Sequence, residues 1–113
     1  MEFTVEETGK KLGFAVKGNG NAHFISLLTD SRTYVSGNKS LFVALKTNRN
    51  DGHSYIDSLY EKGARAFLIS DANFPVEKYS EAGFLLCENT LLGMQKLATY
   101  KRSLFNIPVT AIT

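Results

Sequence analysis

The chain has 113 residues, 43% hydrophobic and 21% charged, with 13 basic against 11 acidic side chains and a net charge of +2. A length of this order suits one domain that buries roughly two-thirds of its unfolded surface, and the apolar content excludes an intrinsically disordered chain. The small, dispersed positive charge is no footing for nucleic acid or a membrane surface, and no apolar run approaches the ~18 residues of a membrane span.

The opening Met1-Glu2-Phe3-Thr4-Val5-Glu6 is acidic and lacks a signal-peptide pattern. Val5, Thr8 and Leu12 fall on one face of a short helix that Gly13 is placed to end. Phe14–Val16 and His23–Leu28 have extended character. Between them, the Asn-Gly chemistry of Gly18-Asn19-Gly20-Asn21 predicts a tight turn or hairpin. That segment lacks the third glycine, the helix start and the Gly-Lys-Thr of a phosphate loop.

A turn is expected through Val35–Lys39, and Ser40–Leu45 reads as a strand buried on both faces. Tyr55, Ile56, Leu59 and Tyr60 have helical spacing, with Asp51 as the cap and Gly63 as the stop. Ala64–Ile69 and Gly83–Cys87 are the next strands, with Pro75 in the loop between them. Asn89 or Thr90 caps a last helix carrying Leu91, Met94, Leu97 and Ala98. Ile107–Thr113 reads as one more strand, and domains seldom stop on an apolar strand, so the parent chain is expected to continue. Strands alternating with helices predict an α/β fold, a small mixed sheet flanked by helices.

Chemistry-bearing residues are few. Cys87 is the only cysteine, which rules out an internal disulfide; it reads as a small buried hydrophobe in a reducing, cytoplasmic setting. His23, His53 and Cys87 lack paired ligand spacing, so no metal site is expected. No nucleophile frame surrounds Ser31 or Cys87, so no catalytic residue is assigned, and His53 reads as a structural residue at a helix start.

Two polar segments remain. Asp30-Ser31-Arg32 follows an apolar strand, where α/β sheets open onto a ligand crevice. The serine hydroxyl could donate to a phosphate or sugar oxygen, and the arginine could fork onto an anion. A strand-end turn with Asp30 on nearby backbone and Arg32 paired at the surface accounts for them equally well. Thr47–Asp51 follows another buried strand and could emerge on the same edge, where its backbone could read a uracil edge. It is also a helix-entry loop capped by Asp51.

Three stretches in this order closely resemble the amino-terminal domain of Mur ligases: Thr29-Asp30-Ser31-Arg32, Ser40-Leu41-Phe42-Val43-Ala44-Leu45-Lys46 and Asp51-Gly52-His53. Leu92–Arg102 and Ile107–Thr113 resemble the members that add a D-alanyl-D-alanine dipeptide; the members that add the third amino acid are the alternative, and a non-catalytic interaction domain is the reading from another class. The resemblance implies a UDP-sugar-binding domain over residues 1–106, with 107–113 as the first strand of a central ATPase domain. It implies UDP-N-acetylmuramoyl-tripeptide as the partner, with the UDP moiety held by Asp30, Ser31, Arg32, Thr47, Asn48 and Arg49. ATP and magnesium would belong to the full-length enzyme, with no cofactor in this part, and the chain would act as a cytoplasmic monomer beside central and carboxyl-terminal domains. A parent fused to an alanine racemase is also compatible with the resemblance.

Overall fold

A computed structural model describes residues 2–35, 39–46 and 51–104. The expected strand at Ile107–Thr113, most of the turn through Val35–Lys39 and the segment Thr47–Asn50 lie outside the described residues.

The chain opens with strand β1 (Phe3–Thr4) and helix α1 (Val5–Leu12). Thr4 caps α1 by accepting from the Glu7 amide at 3.1 Å, which satisfies one of the orphan donors of the first turn. Glu6 and Glu7 at the start and Lys10 and Lys11 at the end complement the helix dipole. Gly13 ends the helix at φ 78°, donating its N–H to the Gly9 carbonyl, a left-handed position that glycine occupies without strain.

β2 (Ala15–Gly18), β3 (His23–Phe24) and β4 (Ser26–Leu28) follow. The expected turn between β2 and β3 is present, closed by Ala22 N–H on the Asn19 carbonyl at 3.2 Å and by Asn21 N–H on Asn19 Oδ1 at 3.0 Å. The hairpin is not formed. β2 pairs antiparallel with β7, while β3 pairs with β1. The Asn19 N–H donates to the Ala82 carbonyl at 2.9 Å, and a Cβ on Gly83 would collide with the Asn19 carbonyl. The turn therefore lies against the start of β7, and the positive φ falls on Gly18 rather than on Asn19 or Gly20.

The remaining elements are β5 (Ser40–Val43), α2 (Ile56–Glu61), β6 (Ala66–Ile69), β7 (Gly83–Leu86) and α3 (Thr90–Leu104). Gly63, at φ 113°, follows α2 as expected. The main sheet has five strands in the order β2-β7-β6-β5-β4; β4 to β7 run parallel and β2 runs antiparallel at one edge. The mixed sheet of the sequence reading is thus present. β5 and β6 are buried along their whole length, and their side chains alternate between two cores. Leu41, Val43, Ala66 and Leu68 join Phe3, Val5 and Leu97 on one face. Phe42, Phe67 and Ile69 join Ile56, Leu59 and Tyr79 on the other.

α3 starts as expected, with Asn89 Oδ1 accepting from the Leu91 and Leu92 amides at 2.9 and 3.2 Å. Its buried stripe differs from the expected one. Leu91 and Ala98 are exposed, and Thr90, Gly93 and Leu97 are buried. Gly93 lets the helix approach closely: a Cβ there would lie 2.9 Å from Cys87 Sγ and 3.2 Å from Leu68 Cδ2. Gly93 thus stands beside Leu97 and the partly buried Met94 on the face that meets the core.

Candidate functional site

Because β4 to β7 are parallel, their carboxyl ends open on one edge, the crevice where α/β sheets bind ligands. Thr29–Arg32 leaves β4 there, Ala44–Lys46 leaves β5, Ser70 leaves β6 and Cys87 leaves β7. β4 and β5 are parallel neighbours with Leu28 opposite Phe42, so the Asp30 turn and Ala44–Lys46 leave the sheet on one edge. Thr47, Asn48 and Arg49 themselves lie outside the described residues.

Asp30 caps a 3-10 turn, Ser31–Thr33. Its Oδ1 accepts from the Arg32 amide at 2.9 Å and from Arg32 Nε at 3.1 Å, while Oδ2 accepts from Nη2 at 3.0 Å. The Thr33 hydroxyl and amide close the turn on the Asp30 carbonyl at 2.8 and 3.0 Å. The hydrogen bond from Arg32 holds the Asp30 carboxyl below its ordinary pKa, and Asp30 in turn raises that of Arg32. Asp30 and Arg32 thus form a surface pair of the kind expected of a strand-end turn. Arg32 is 88% exposed, and its Nη1 donors are not used by Asp30. Ser31 is half-buried, and its hydroxyl has no protein partner among the described residues.

The exit from β5 is held more firmly. Lys46 and Asp51 face each other in an antiparallel bridge. The Gly52 amide donates to the Leu45 carbonyl at 2.7 Å, and a Cβ on Gly52 would lie 2.8–2.9 Å from backbone atoms of Ala44 and Leu45. Asp51 caps the turn Gly52–Tyr55 that leads into α2. Its Oδ1 accepts from the His53 amide at 3.0 Å and pairs with His53 Nδ1 at 2.7 Å. His53, 8% exposed, accepts the Ser70 amide on Nε2 at 3.1 Å. An Nε2 that accepts leaves the ring proton on Nδ1, where it is donated to Asp51. Reading His53 as structural at a helix start holds, but its reach to β6 was not visible in the sequence. The only local signal is the Asp51-Gly52-His53 triplet itself.

Partial burial pushes the Asp51 carboxyl up, but the hydrogen bonds from the His53 side chain and amide outweigh it and hold the group below its ordinary 3.8. A depressed carboxylate contributes stability above its unfolded pKa and loses it as pH falls through the folded value. Asp51→Asn is therefore expected to be less stable than the parent near neutral pH and to converge with it below about pH 3.8. With 46% of the side chain exposed, solvent screening limits the gap to under about 1 kcal/mol. Urea unfolding at successive pH values measures it; a gap that does not change with pH would show that the charge plays no part.

Cavities open at both edges of the sheet. A groove of about 670 Å³ lies at the β7 end of the same edge, lined by Phe14, Ser70, Cys87, Asn89 and Lys96 among others. Burial pushes the Cys87 thiol up in pKa, which argues against a reactive thiolate. A polar cleft of about 420 Å³ lies at the opposite edge, against Lys39, Arg65 and Glu81. Its cations are engaged, Lys39 with Glu2 at 2.9 Å and Arg65 with the Tyr60 and Ala64 carbonyls at 2.8 and 2.9 Å. Among the described residues no group of three or more His, Cys, Asp or Glu side chains is placed to hold a metal, and no helix is long and apolar enough to cross a membrane.

A parallel sheet with helices on both faces and polar turns at its carboxyl edge defines an α/β domain of the kind that meets ligands beyond the ends of its strands. The chain belongs to the Mur ligase family: the family model described as Mur ligase family, catalytic domain, matches residues 22–102. It is 40% identical over 90 residues to the UDP-N-acetylmuramoyl-tripeptide–D-alanyl-D-alanine ligase of Synechocystis sp., which covers 78% of this chain and 18% of that protein. It is 40% identical over 73 residues to the ligase of the same name from Rickettsia prowazekii, covering 65% of this chain and 15% of that one. The crystal structure of MurF from Acinetobacter baumannii superposes with a TM-score of 0.71 at 21% identity, over 92% of this chain and 22% of that one. The fold is that of the Mur ligase amino-terminal domain. The chain spans less than a fifth of the length of these curated relatives.

Proposed function

We propose that this chain holds the UDP end of UDP-N-acetylmuramoyl-tripeptide for an ATP-dependent amide ligase that adds D-alanyl-D-alanine in peptidoglycan synthesis. The names of the relatives support the reaction and substrate class. The observation that carries the reading is the Ser31 hydroxyl, half-buried and without a protein partner among the described residues, at the end of a strand beside the β5 exit. Ser31 donates to a phosphate or ribose oxygen. Arg32 offers Nη1 to the diphosphate while Asp30 keeps its fork oriented. Thr47, Asn48 and Arg49 complete the proposed set on the uracil side.

Residues 1–106 form this binding domain in the proposal, and 107–113 lead into a central domain. ATP and magnesium act in that domain, where the tripeptide carboxylate is phosphorylated and the dipeptide amine attacks. The sequence here has no Gly-x-x-Gly-Lys-Thr, so no step of that chemistry is assigned to its residues. Their part is to bind and orient the remote end of the substrate, as a cytoplasmic monomer, so that contacts far from the reacting carboxylate help to position it.

The test is a ligand-observed NMR titration with UDP. The unaltered chain is expected to bind with a Kd near ~1 mM. Ser31→Ala should weaken binding by roughly 1–3 kcal/mol, the cost of a lost hydrogen bond to a charged group. Equal affinities would remove Ser31 from the site.

A further inference from the structure

We propose that His53 is a positioning residue for the ligand edge: it locks the exit of β5 to the end of β6 and so fixes where the bridged residues Lys46 and Asp51 stand on the edge onto which the Ser31 turn also opens. The inference rests on the UDP reading above and deepens it.

Three observations converge. His53 sits between two strand exits and is bonded to both, to Asp51 at 2.7 Å through Nδ1 and to the Ser70 amide at 3.1 Å through Nε2. Ser70 is the first residue beyond β6, so without the imidazole its N–H would stand unmatched at the mouth of the crevice. The ring is 8% exposed and packs on Phe74 at 5.9 Å, inside an aromatic stack that continues to Tyr79 and Phe84 at 5.8 Å each. A buried, doubly bonded imidazole packed against such a stack has little freedom.

The backbone below it is equally constrained. Gly52 passes against Ala44 and Leu45 with no room for a side chain, so Asp51 cannot slide without breaking its bridge to Lys46. The β4–β5 register sets one side of the site, with Leu28 opposite Phe42. His53 sets the other by tying Asp51 across to β6. Binding groups act at full strength only when the shell behind them holds their spacing. His53 itself needs no contact with ligand in this role.

Two substitutions divide its bonds. His53→Asn keeps a donor near the Nδ1 position for Asp51 and loses the acceptor for Ser70. His53→Gln keeps an acceptor near the Nε2 position and loses the bond to Asp51. His53→Phe keeps the ring packing and loses both. UDP affinity and thermal stability are measured together for each, with Leu97→Ala as a control that loosens the core on the other face of the sheet and leaves His53, its ring contact and both its hydrogen bonds in place.

His53→Phe is expected to bind UDP about tenfold more weakly, with Asn and Gln between it and the parent, while Leu97→Ala melts lower with its UDP affinity unchanged. If His53→Phe fails to fold, the Asn and Gln variants carry the comparison. Should the His53 variants bind UDP as the parent does, or should Leu97→Ala lose as much affinity as they do, the positioning role is wrong while the UDP reading stands. If the unaltered chain does not bind UDP at all, the UDP reading fails first and takes this inference with it.

Discussion

Phe67→Ala is expected to cost about 3–5 kcal/mol, the range for emptying a buried aromatic site. Phe67 lies on β6, the central strand of the five, and is fully buried. It stacks on Phe84 at 5.3 Å and meets Phe42 edge-on at 6.4 Å, so its removal takes contacts from both neighbouring strands. The alternation along β6 places the void in the core shared with Ile56 and Leu59, beneath α2. Domains are stable by only about 5–15 kcal/mol, so this one change removes a large part of the total. Urea unfolding should show a lower midpoint at an unchanged slope. Leu92→Ala, at a side chain 59% exposed, should stay within about 0.5 kcal/mol. Equal losses at the two positions would contradict the assigned burial.

Gly52→Ala is the second large effect and acts on the site as well as on stability. The added Cβ meets backbone at 2.8–2.9 Å from Leu45 N, Ala44 C and Ala44 Cα. Backbone has no rotamer by which to yield, so the turn must shift, at about 1–3 kcal/mol. The shift displaces Asp51 and His53, whose bonds register the β5 exit against β6. The expected result is a lower melting temperature together with weaker UDP binding. A variant that melts lower but binds UDP as the parent does would separate the Lys46–Asp51 bridge from the ligand edge.

The local parts of this fold were legible because their signals lie within a few residues. Val5, Thr8 and Leu12 on one face and Gly13 at the end marked α1 from its own sequence. The apolar run Ser40–Leu45 announced the doubly buried strand found at Ser40–Val43, and Asp51 announced the cap of the turn before α2. What escaped depends on partners far along the chain. Asn19-Gly20 favours a hairpin locally, but β2 finds its partner in β7, where Val16 lies opposite Leu85. On α3, Leu97 and Met94 pack on the core as expected, but Leu91 and Ala98 do not, because the helix is turned so that Gly93 fits against Cys87 and Leu68.

The candidate site divides in the same way. The placement of Asp30–Arg32 and the β5 exit on one edge followed from each standing after an apolar strand. The division of labour within the turn did not, because only geometry shows Arg32 engaged by Asp30 while the Ser31 hydroxyl is left without a protein partner among the described residues. The reach of His53 to the Ser70 amide, 17 residues away, requires β5 and β6 to be neighbours before it can exist.

The most direct test of the central claim is an amide-resolved NMR titration of the chain with UDP. The amides of Asp30, Ser31 and Arg32 are expected to move together with those of Lys46, Asp51 and Ser70, all at the carboxyl edge of β4 to β6. Shifts confined to the groove at Phe14, Cys87 and Lys96, or to the opposite edge around Lys39 and Arg65, with residues 30–32 unmoved at saturation, would contradict it.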